Sequence, residues 1–82
     1  MDKNKTFFET YSLPISATLI SLNFTLDSVE KTISGKSVFK FLSSLELEKT
    51  VREYWKKSLR VEPTLHWEAI RFLKSRIYEG RS

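Results

Sequence analysis

The sequence predicts an α+β domain in the order β-α-β-β-α-α, with a small three-stranded, at least partly antiparallel sheet and helices packed mainly on one face. Three observations predict it. FTLDSVEKTI and KSVFKFL are rich in β-branched and aromatic residues and flank Ser34-Gly35, the clearest hairpin signal in the chain. Three other stretches open with helix-start residues and carry apolar side chains at helical spacing. Finally, hydrophobic residues make up 40% of the 82-residue chain and aromatics 13%, a globular composition. The length suits a single domain over residues 1–82.

The elements follow in order. KTFFET (5–10) is short and aromatic and suits a strand. In SLPISATLISLN, Ser12 is the expected N-cap, and Pro14 falls in the first turn, where a missing N–H costs nothing. Leu13, Ala17 and Ile20 recur at helical spacing, broadened by Ile15, Leu19 and Leu22. Asn23 is the expected left-handed stop. In the hairpin, a two-residue turn at Ser34-Gly35 puts Phe39 and Phe41 on one face of the second strand and Val38 and Lys40 on the other. The next helix starts at Ser43 or Ser44, with Ser43-x-x-Glu46 at capping-box spacing. Its Leu47, Val51, Tyr54 and Trp55 fall on one side, and Lys49, Arg52, Lys56 and Arg60 form a row on the other. The last helix begins at Pro63, stops at Gly80 and is expected to pair antiparallel with its predecessor.

Thr10, Leu13, Ile15, Ala17 and Leu19, then Phe39 and Phe41, then Val61, Pro63, Ala69, Leu73, Lys74, Ser75, Arg76 and Ile77 trace a recognisable pattern. Its parts are an aromatic strand, a Thr-x-Asp-Leu-x-Leu-Ala-Ala helix, a Phe-x-Phe strand and a Pro-initiated helix ending Leu-Lys-Ser-Arg. In this the chain resembles a family of short bacterial and mobile-element proteins catalogued as a domain of unknown function. Ser12 stands where that pattern has Asp, Ser16 where it has Ala and Asn23 where it has Gly, each a tolerable cap or packing exchange. The resemblance implies the fold and carries no activity with it. Arg76 falls among Leu65, Ala69 and Leu73, where a charge is not buried unpaired. It either reaches out along its stem or meets a carboxylate such as Glu9 or Asp27, and the match at LKSR favours a structural ion pair.

Several function classes are poorly served by this sequence. Cysteine is absent, which excludes disulfides and thiolate ligands and fits a reducing compartment. No His/carboxylate cluster has metal-ligand spacing, and Glu46 and Glu48 diverge on their helix. The two glycines serve as a turn and a stop, not as a phosphate-cradling loop. A single histidine, His66, lies on the Leu65–Leu73–Ile77 side of its helix, and nothing beside it marks a catalytic set. The expectation is therefore a protein that is not an enzyme and that uses no metal and no cofactor. No segment approaches the roughly 18–20 apolar residues of a membrane span. LPISATLISLNF lacks the cleavage site of a signal peptide, so a cytoplasmic location is expected.

Charge supplies the remaining signal. The net charge is +4, divided as −1 over residues 1–48 and +5 over 49–82. Excess cations attract polyanions or acidic surfaces. On the last helix Trp67, Arg71, Lys74 and Tyr78 fall within about 60° of one another. Such aromatic–cation mixtures stack bases and neutralise phosphates on single strands. With Lys49, Arg52, Lys56 and Arg60 they form the expected nucleic-acid-binding residues. Structural accounts exist for both rows. Trp67 would seal the core with Arg71 lying over it, while Glu48–Arg52 and Glu53–Lys57 pairs would make the other row a solvated face. The expected partner is nucleic acid or an acidic protein surface. The alternative is a protein-interaction or homo-oligomerising module that uses an exposed sheet edge or helix face. An anionic membrane surface is a third candidate.

Overall fold

The computed structural model describes residues 6–79. Six elements follow in the expected order: β1 (Phe7–Thr10), α1 (Leu13–Ser21), β2 (Leu26–Lys31), β3 (Ser37–Leu42), α2 (Leu45–Trp55) and α3 (Pro63–Glu79). Gly80, the expected stop of the last helix, and Lys5, at the head of the expected first strand, lie outside the described residues.

The sheet has the order β1-β3-β2, and both pairings are antiparallel. Phe39 and Phe41 on the central strand are buried and form the spine of the core. Phe8 and Thr10 of β1 pair with Phe41 and Phe39 from one side, and Leu26 and Val29 of β2 pair with them from the other. Strict alternation could not put both Leu26 and Val29 on the inner face. A bulge between Leu26 and Ser28 resolves this by leaving Asp27 as the extra, exposed residue. On the outer face Lys40 lies 3.5 Å from Glu30 and 4.0 Å from Glu9, one carboxylate on each flanking strand, and 5.3 Å over the Phe7 ring. The hairpin loop is three residues, Ile33-Ser34-Gly35, not the two expected. Thr32 N–H donates to Lys36 O and Gly35 N–H to Thr32 O, both at 2.9 Å. Gly35 takes φ +91°, the left-handed residue that closes such loops without steric cost.

α1 begins as expected, with the Ser12 hydroxyl accepting from Ile15 N–H at 3.2 Å. It ends on Asn23 at φ 75°, where Asn23 N–H donates to Ile20 O and Phe24 N–H to Leu19 O. That pair of bonds defines a Schellman stop, with Asn in the glycine position. Five consecutive residues, Ile15 to Leu19, are buried, so α1 is enclosed rather than amphipathic. Ser16 and Thr18 sit among them, and the Ser16 hydroxyl is satisfied by donating to Ser12 O at 2.9 Å. α2 is capped by Ser44, whose hydroxyl accepts from Leu47 N–H at 3.0 Å. The Ser43–Glu46 capping box does not form, because the Ser43 hydroxyl is turned to Glu48 Oε2, 3.1 Å away. α3 is capped by a residue that the pattern of small polar caps does not announce. The Glu62 carboxylate accepts from Leu65 N–H at 2.8 Å, and its charge suits the positive end of the helix.

All three helices contribute to the core, through Ala17 and Leu19, Leu47, and Ala69 and Leu73. The expected antiparallel pairing of α2 with α3 is replaced by one of α1 with α3. Leu13 and Ile77 border one groove, while Ile20 shares another with Leu65 and Phe72, so these two helices run in opposite directions. Small residues on both, Ser16 and Ala17 against Ala69, allow that approach. α2 touches α1 more lightly. No helix among the described residues is long and apolar enough to cross a membrane.

Candidate functional site

On α3 the straight run from Pro63 to Glu79 keeps Trp67, Arg71, Lys74 and Tyr78 on one exposed face, away from Ala69 and Leu73. Trp67 is 61% exposed and Tyr78 64%. A tryptophan sealing the core would be far more covered, and the cation over a ring on this helix is Arg76, 5.9 Å from Phe72, not Arg71 over Trp67. On α2, Lys49, Arg52 and Lys56 are exposed opposite Leu47 and Val51. Arg60 is exposed too, but the helix ends at Trp55, so this residue belongs to the connector and not to the row. Trp55 also leaves the apolar side assigned to it. It is 67% exposed and meets Tyr54 edge to face, with centroids 5.4 Å apart and planes at 88°.

Among the described residues none of the eight cationic and aromatic positions takes part in an ion pair. Glu48–Arg52 and Glu53–Lys57 do not close to bonding distance, since the chain leaves the helix at Lys57 and Glu48 is engaged by Ser43. Among the described residues, Lys40 pairs with Glu9 and Glu30. Arg76 is exposed, and Glu9, one of its two expected partners, serves Lys40 instead.

A cleft of about 500 Å3 that none of the sequence expectations included lies where α1, the end of α2 and the start of α3 converge. Tyr54 and Trp55 line it together with Leu59 and Val61 of the connector. Thr18 reaches it from α1, His66 from α3 and Lys57 from the end of α2. Thr18 is buried, whereas His66 is half-buried. Among the described residues no carboxylate lines this space. Lys57 has φ 60° because it occupies the left-handed position of a second Schellman stop. There Lys57 N–H donates to Tyr54 O and Ser58 N–H to Glu53 O. Lys56 and Arg60 adjoin lining residues in the chain, as do Glu53 and Glu62, and Trp67 follows His66. The available signal was the pair of aromatics followed by Lys-Lys-Ser, a helix stop without glycine.

Among the described residues no three His, Asp or Glu side chains converge on one point. No family model, curated protein or solved structure matches this chain.

Proposed function

We propose that the chain is a small non-enzymatic binding module that holds single-stranded nucleic acid against the exposed face of α3. The observation that carries this is the exposure of Trp67 and Tyr78 beside Arg71 and Lys74, with neither ring used in the core. Two free rings offer stacking worth ~1–3 kcal/mol per base, and the flanking cations neutralise phosphates. Lys49, Arg52 and Lys56 on α2 add further contacts to a strand that extends beyond α3. Cytoplasmic action belongs to the same proposal and is supported by the absence of cysteine.

Fluorescence anisotropy of labelled single- and double-stranded DNA and RNA at low salt tests this. Binding is expected by ~10⁻⁵ M, where non-specific binders register, with single strands preferred. Trp67→Ala combined with Tyr78→Ala should weaken single-strand binding by roughly 10- to 100-fold without lowering the melting temperature. No binding of any probe at that concentration removes the proposal.

One observation favours self-association as the second reading. Phe7 and Leu42 are register partners on the sheet face opposite the helices, and both are exposed at 40–50%. β1 is moreover an edge strand, and no other strand among the described residues covers its outer side. Light scattering that reports a salt-insensitive dimer with no nucleic-acid affinity would favour this alternative.

A further inference from the structure

We infer that the cleft between α1, the end of α2 and the start of α3 receives one unstacked base of the bound strand, with Lys57 holding that nucleotide's phosphate. This rests on the single-strand reading above and adds a defined base site to its flat stacking face.

The chemistry of the lining points to such an occupant. A nucleotide combines two apolar ring faces, a polar ring edge and an anionic tail. The cleft answers each in turn. Trp55 is 67% exposed and stands at right angles to Tyr54, and Leu59 and Val61 share the lining with this aromatic pair, offering apolar surface to a flat ring. The Thr18 hydroxyl and the His66 imidazole can each donate or accept, as a base edge requires. Lys57 supplies the cation, and among the described lining residues there is no carboxylate to repel an anion. At about 500 Å3 the space lies within the ~300–1,000 Å3 typical of small-molecule sites.

The backbone adds an independent observation. The left-handed position that ends α2 is one that glycine fills at no steric cost, yet here it carries a lysine at φ 60°. A strained residue that also lines a cleft is the combination that ties conformation to use. His66 lines the cleft from the same helix, α3, that carries Trp67 and Tyr78.

The test uses the full chain and a short oligo-deoxythymidine carrying one 2-aminopurine. Its fluorescence should be quenched on binding, and Trp55→Ala should reduce that quenching to what the α3 face alone gives and weaken affinity on the order of 10-fold. Lys57→Gly should weaken affinity as well, with a melting temperature at or above that of the parent, which shows that the loss is not unfolding. Quenching unchanged by Trp55→Ala, with both variants binding like the parent, overturns the base pocket and leaves the α3 face intact. An absence of binding by the unaltered chain overturns both.

Discussion

Asn23 and Lys57 hold the two left-handed positions that end α1 and α2, and they show how one backbone requirement is met by different side chains. Asn tolerates this region because its short amide bonds locally. Lys has no such relief, and non-glycine residues pay ~1–2 kcal/mol there. Part of that returns when glycine replaces lysine, offset by the greater freedom of glycine in the unfolded chain. Lys57→Gly is therefore expected to stabilise the fold by about 0.5–1 kcal/mol, visible as a thermal midpoint a few degrees higher. A lower midpoint would show that the Lys57 side chain contributes more to packing than its exposure implies. Glu62 carries a similar lesson. Its carboxylate caps α3 at 2.8 Å from Leu65 N–H, a duty usually given to Ser, Thr, Asp or Asn.

At the scale of elements, the bulge at Asp27 decides whether β2 serves the core. It lets Leu26 pair with Phe41 and Val29 with Phe39 although three positions separate them. Deleting Asp27 leaves Leu26 and Val29 two positions apart, so a regular ladder keeps both on the inner face. The deletion is therefore expected to leave the midpoint of denaturant unfolding nearly unchanged. A loss of ~1.5–3 kcal/mol, the value of burying one such side chain, would mean that one of the two has turned outward. Those parts of the fold that rest on local rules were legible from the chain: Ser12 as cap, Pro14, the Asn23 stop, the alternation of Phe39 with Lys40, and the starts of all three helices. What was not legible depends on tertiary placement. Ser16 and Thr18 are polar and point to nearly opposite sides of α1, yet both are buried, because α1 is enclosed by the sheet, α2 and α3. Arg60 continues the Lys49–Arg52–Lys56 row only if α2 runs on, and a Schellman stop without glycine cuts it short. The hairpin gains a residue because Thr32 bonds Lys36 across Gly35. All eight candidate residues are exposed, whereas the cleft joins Thr18 of α1 to the α2–α3 junction far along the chain, so no contiguous stretch announces it.

For the molecule as a whole, the architecture separates a buried interior from a surface on which Lys49, Arg52, Lys56, Arg60, Arg71 and Lys74 enter no ion pair among the described residues. Stability should follow the interior. Leu73, fully buried among Ala17, Phe39 and Phe41, is expected to cost ~2–5 kcal/mol when changed to Ala. That is a large share of the ~4–12 kcal/mol that a chain of this length commands at ~0.05–0.15 kcal/mol per residue. A change below 1 kcal/mol in calorimetry would mean that the three helices do not share one core. Binding should follow the surface instead. Arg71→Gln with Lys74→Gln removes two exposed cations and should leave the melting temperature within error. The most direct test of the central claim is the slope of log affinity against log salt for a single-stranded oligonucleotide, compared between the unaltered chain and this double variant. Affinity should fall linearly as salt rises, and the slope should shrink by ~0.7 for each cation removed. A slope near zero, or one identical in the two proteins, would contradict the assignment of the α3 face to phosphate contact.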